Sequence, residues 1–158
     1  MNFFHKTSVK LICITTLAFQ PAVFAHKSVS GMNLQAKFGA VTIKVQGFRN
    51  DKGKAGIALY NSKTGFDKDL AFKEALVDIK SGEAVVTFRD APPGIYAAAA
   101  FHDENGNGKL DENSFGIPTE GVGLSNNPKI SITSVPTFEK IKFNLIEGEQ
   151  TVGFKIQY

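Results

Sequence analysis

Asp103, Asn105, Asn107 and Asp111 stand at positions 1, 3, 5 and 9 of the run His102-Asp103-Glu104-Asn105-Gly106-Asn107-Gly108-Lys109-Leu110-Asp111-Glu112-Asn113. Short loops that wrap a calcium ion use this alternation of side-chain oxygens. Gly108 falls at position 6, where such a loop turns sharply, and Leu110 at position 8, where it is anchored to a core. Lys109, at position 7, would contribute its main-chain carbonyl. Asp103, Asn105, Asn107, Lys109 and Asp111 are therefore the candidate metal ligands, for a structural Ca2+ rather than a catalytic one. Position 12, which should bring a bidentate carboxylate, is Ser114. Water, Glu112 or Glu120 would have to complete the shell. Two formal charges on the direct ligands place the affinity at the weak, extracellular end, on the order of 10⁻⁴–10⁻³ M. Asn, Asp and Gly are equally the residues of tight turns that satisfy themselves, and composition does not separate the two readings.

No catalytic constellation competes with this loop, and no residue is assigned a catalytic role. His102 is the one histidine expected within the fold. A small hydrolase or lyase would need it to converge with Asp103 or Glu120. Glu104, Glu112 and Glu120 are the carboxylates from which a glycosidase pair would be drawn, but the chain has no tryptophan to form a sugar platform. The only cysteine is Cys13, and no Gly-x-Ser-x-Gly elbow occurs. Ser125 reads as a loop serine, and the glycine-rich residues 116–123 lack the lysine of a phosphate-binding loop. The reading that remains is a non-enzymatic module that binds or scaffolds an envelope component or a small ligand. A carrier with an apolar cavity is the further alternative.

Residues 1–25 read as an export signal. Lys6 and Lys10 precede the short apolar run 11–19, and Val23-Phe24-Ala25 has small residues where a signal peptidase cuts. Cleavage after Ala25 and a periplasmic or secreted location are expected, with no transmembrane segment in the mature chain. Lys6 and Lys10 belong to the 18 Lys and Arg of the whole chain, and no acid precedes residue 26. The remainder thus carries 16 basic against 15 acidic residues, a balance that offers no footprint for nucleic acid. It also has no cysteine, so burial alone must hold it.

These candidates must be positioned by strands. Residues 26–38 read as a flexible arm and 39–158 as one β-domain. Val41, Ile43 and Val45 alternate with polar residues, and Asn50-Asp51-Lys52-Gly53 looks like the turn of a hairpin returning through residues 55–60. Residues 61–69 form a loop with room for one helical turn. Strands follow at 73–80 and 84–88, joined at Ser81-Gly82-Glu83. Pro92-Pro93-Gly94 is a rigid corner leading into 95–101, whose alanines let another layer approach. Tyr60, Tyr96 and Phe101 are expected in the core. Residues 115–125 look irregular, 130–135 extended, and 136–139 a helical turn; a hairpin of 140–146 with 151–157 closes the chain. This pattern predicts an all-β fold, an antiparallel β-sandwich of seven or eight strands, immunoglobulin-like or prealbumin-like.

Four segments occur in order: Gly47-Phe48-Arg49-Asn50-Asp51-Lys52-Gly53, Pro92-Pro93-Gly94-Ile95-Tyr96-Ala97, the run from His102 to Asp111, and Phe115-Gly116-Ile117-Pro118-Thr119-Glu120-Gly121. Together they resemble the bacterial exported proteins of domain-of-unknown-function family 2141, over roughly residues 40–157. The resemblance implies an envelope or secreted domain without an established activity. The Pro-Pro-Gly-x-Tyr corner is similar to those of prealbumin-like and collagen-adhesin-type sandwiches, which bears on fold and transfers no function.

Overall fold

The computed structural model describes residues 38–131 and 136–158. The export signal expected at 1–25, and the arm at 26–38 apart from Phe38, lie outside them, as do residues 132–135 of the segment expected to be extended. Eight strands follow in order: β1 (Gly39–Gln46), β2 (Lys54–Tyr60), β3 (Lys73–Val77), β4 (Glu83–Ala91), β5 (Gly94–Asp103), β6 (Val122–Leu124), β7 (Phe143–Leu145) and β8 (Gly148–Lys155). One helical turn, α1 (Lys63–Asp67), separates β2 from β3, and a second, α2 (Phe138–Ile141), precedes β7. The fold is the expected all-β sandwich. One sheet has the order β4-β1-β8; the other runs β3-β2-β5-β6, with β7 also on β5.

The period-two pattern does what it should. Val41, Ile43 and Val45 are fully buried and meet Ile57, Leu59, Ala98, Ala100 and Phe154 between the sheets. The opposite face of the β2–β5 pair carries Ala58, Ala97 and Ala99, over which Tyr60, Phe66, Phe138 and Ile141 pack as a second, smaller core. Alanines leave room for that layer, which is why β5 is buried over most of its length. Tyr60, Tyr96 and Phe101 are all core residues. The Tyr96 hydroxyl donates to the Pro92 carbonyl at 2.8 Å and pins the proline corner.

Neither expected hairpin forms, and the strands expected at 73–80 and 84–88 belong to different sheets. After β1, Phe48 enters the inter-sheet core and the Asn50–Gly53 turn carries the chain to the other sheet, so β1 pairs with β4 and β2 with β5. The Asp51 carboxylate accepts the Ser81 and Gly82 N–H groups, both at 2.8 Å, and ties this crossing to the next. At that next turn, Ser81 and Gly82 take positive φ and Lys80 pairs with Glu83, but β3 has already ended at Val77 and Ile79 is buried as the chain crosses. At the C-terminus, β7 pairs antiparallel with β5 while β8 runs parallel to β1, register Ile43↔Val152. Gly148, at φ 98°, allows that switch. Glycine at 39 also lets the β1–β8 join close up, because a Cβ there would lie 2.8 Å from the Ile146 carbonyl oxygen.

Candidate functional site

β5 delivers His102 and Asp103 fully buried at its end, and the polar run begins there. Gly53 makes this end accessible to its neighbour strand: at φ 68° its α-carbon packs on the Asp103 main chain, where a Cβ would come within 1.8 Å of the carbonyl oxygen. His102 is held on both sides. Its Nε2 lies 2.9 Å from the Lys52 carbonyl oxygen, which only accepts, so Nε2 carries the proton. Its Nδ1 then accepts from the Tyr158 hydroxyl at 2.7 Å. That hydroxyl in turn accepts the Arg49 N–H at 3.0 Å, and the Arg49 guanidinium lies 4.7 Å above the Tyr158 ring and pairs with Glu104. His102 thus has both nitrogens engaged and no exposed surface, and a Glu104 carboxylate oxygen lies 3.4 Å from its Nδ1.

The candidate ligands are brought together. The Asp103 carboxylate accepts the N–H of Asn107 at 3.0 Å on one oxygen and that of Gly108 at 2.8 Å on the other, folding the loop back over the strand end. Gly106 and Gly108 take φ of 71° and 75°, which this return requires. Asn105 and Asn107 form successive Asx turns, accepting the N–H groups of Asn107 and Lys109 at 3.0 and 2.8 Å. Both amide groups also donate to the Asp111 carboxylate, at 2.5 Å from Asn105 and 3.0 Å from Asn107. Asp103, Asn105, Asn107 and Asp111 are thus joined in one hydrogen-bonded loop, and Lys109 enters it through its main-chain N–H while its side chain is exposed.

Ser114 at position 12 is exposed and takes no part. A second turn replaces it. Asn113 accepts the Gly116 N–H at 2.9 Å, Glu112 bridges Pro118, and Thr119 donates to the Asp111 carbonyl at 2.9 Å. This antiparallel return brings Glu120 beside Asp111. The Glu120 carboxylate accepts the N–H of Glu104 at 2.9 Å and of Asp111 at 3.2 Å, closing the loop from the far side. Burial raises the Glu120 carboxyl above its ordinary value, the two N–H groups oppose the shift, and the charges of Asp111 and Asp103 add to it. Three carboxylates therefore face this region. Among the described residues no group of three or more His, Cys, Asp or Glu side chains could hold a metal ion.

Behind the loop lies a cavity of about 350 Å³, walled by Leu110, Ile117, Pro118, Val122, Leu124 and Ile130, with Glu112 and Glu120 also on its wall. Leu110, at the position expected to be anchored to a core, is half-buried on this wall. The structural use of Ser125 was not visible in its sequence context. It is fully buried, its hydroxyl accepts the Ala98 N–H at 3.0 Å and donates to the Ile141 carbonyl at 2.6 Å, and it fills the gap on the β5 edge between β6 and β7. Tyr158 and Arg49 were also missed, since nothing local announces a partner for His102 at the far end of the chain.

The sequence model of the family described as uncharacterised proteins conserved in bacteria, DUF2141, matches residues 43–153. The chain belongs to this family. The DUF2141 match runs from within β1 to within β8 and contains the whole of the 103–120 loop. The family's description names no activity, and no curated protein and no solved structure matches the chain. Among the described residues no helix is long and apolar enough to cross a membrane.

Proposed function

We propose that this DUF2141 protein is an exported, non-enzymatic binding module of the cell envelope whose 103–120 loop takes up one calcium ion weakly. The observation that carries this reading is the convergence of Asp103, Asn105, Asn107 and Asp111, with Glu120 brought back as a third carboxylate. The fit is chemical as well as positional: every donor is a hard oxygen, and backbone N–H groups already orient Asp103 and Glu120. Asp111 is now balanced by the amide hydrogens of Asn105 and Asn107. An entering ion would use the same amide oxygens that now accept the Asn107 and Lys109 N–H groups, and the two NH2 groups would release Asp111. Calcium would then supply the positive charge that the cluster lacks. Export rests on the n-region, apolar run and cleavage site within residues 1–25.

Calorimetric titration of the purified protein with calcium tests this. One ion should bind, with a dissociation constant on the order of 10⁻⁴–10⁻³ M. Asp111→Asn, which keeps the shape and removes one charge, should weaken binding at least about tenfold. Absence of heat at ~10 mM calcium, well above that range, would refute the metal reading.

A further inference from the structure

The cavity behind the loop has a charge pattern as well as a shape, and the two point to one class of ligand. We propose that it binds a small organic cation with an apolar body, an alkyl or aryl ammonium, its hydrocarbon against Leu110, Ile117, Val122 and Leu124 and its charge against Glu112 and Glu120. The volume of about 350 Å³ lies within the range of small-molecule sites. Among the described residues the charged ones on the wall are both acidic, and no Lys or Arg lines it. Neither carboxylate is ion-paired among the described residues, where Arg49 pairs with Glu104 and Lys54 with Asp78. The Glu120 oxygens accept only backbone N–H groups, and Glu112 folds over Gly116 on the cavity wall, 3.9 Å from where a Cβ would stand. An apolar pocket of purely neutral wall would take any lipid-like guest. Two unpaired carboxylates in an apolar wall exclude fatty acids and other anions by leaving like charges together in a poorly solvated space, and favour a cation that desolvates its apolar body at the same time.

The test uses three eight-carbon probes, octylammonium, octanoate and octanol, each below its aggregation limit, titrated into the full protein in the presence of a chelator. Excess chelator removes calcium from the comparison, so failure here and failure of the loop proposal are separable. Octylammonium should bind at one site, about tenfold tighter than octanol, with octanoate weaker still. Glu112→Gln should weaken octylammonium about fivefold while leaving octanol unchanged. Leu124→Ala should weaken both, and added salt should weaken octylammonium alone. Equal affinity for octylammonium and octanoate would overturn the assignment of ligand class. No binding of any probe, or binding untouched by both substitutions, would overturn the site.

Discussion

Replacing Asp103 by Asn separates the two roles that its carboxylate can play. Asp103 is 1% exposed and its two oxygens accept the N–H groups of Asn107 and Gly108. An asparagine offers one oxygen and one NH2 in the same space, so one of those N–H groups would face another donor. Leaving a buried donor unsatisfied costs about 1–3 kcal/mol, and the surviving bond loses its charge assistance. A loss of about 2–3 kcal/mol in urea unfolding is therefore expected without calcium, with the slope m unchanged. Calcium then divides the readings. If the loop is only a turn, the difference between wild type and Asp103→Asn is the same with and without the ion. If it binds the ion at the affinity proposed, ~10 mM calcium stabilises the wild type by a further ~1.4–2.7 kcal/mol and the variant by much less. Paired unfolding curves in chelator and in calcium measure both quantities. A loss below about 0.5 kcal/mol in chelator would show that Asp103 does not organise the loop, since ordinary surface changes reach that size. An unchanged gap in calcium would leave the turn and remove the metal.

Two further outcomes follow from buried and exposed partners. Ser125→Ala should cost about 2–4 kcal/mol by urea unfolding, because the Ala98 N–H and the Ile141 carbonyl both lose their partner in a fully buried place; a loss under about 0.5 kcal/mol would mean that the β5 edge is closed by other contacts. The hydrogen bond from Arg49 holds the Glu104 carboxyl below its ordinary value. A depressed folded value gives a contribution present above the unfolded value of about 4.3 and lost as pH falls through the folded one. Arg49→Gln should therefore raise the Glu104 midpoint in an NMR pH titration with little change in melting temperature, since the pair is largely solvated. An unmoved midpoint would show that the pair does not persist in solution.

Strand faces were legible because burial imposes a period of two on Val41, Ile43 and Val45 and sets small residues where Ala58, Ala97 and Ala99 meet the second core. Strand partners were not, because alternation tells which way a side chain points and nothing about the neighbouring strand. Phe48 and Ile79 are the residues that make crossings of two apparent turns, and each looks locally like any apolar residue beside a turn. β6 escaped notice because three residues among glycines carry too little pattern. In the loop, spacing announced Asp103, Asn105, Asn107 and Asp111, and proximity in sequence already made Glu120 a candidate to complete them. What spacing could not convey is that the Asn amides turn their hydrogens to Asp111, or that His102 is spent on Tyr158 and Lys52.

The place of the loop in the fold also limits what calcium can do. Its root is firmly held: β5 is central in its sheet, His102 is clamped between two partners, and each Asp103 oxygen accepts one main-chain N–H of the loop. The exposed tip, with Phe115 87% accessible, is joined to that root through the antiparallel return and through Glu120. Every carboxylate of the cluster already has N–H partners, so none demands an ion before the sandwich can fold. Under the proposed reading, calcium therefore acts on the segment between β5 and β6, drawing Asp111 and the Asn amides toward Asp103 while the two cores stay as they are. That segment supplies Leu110, Ile117 and Pro118 to the cavity. An ion held there would set the stiffness of one wall of the apolar pocket, and Glu120, shared by loop and cavity, is the contact through which each site would feel the other.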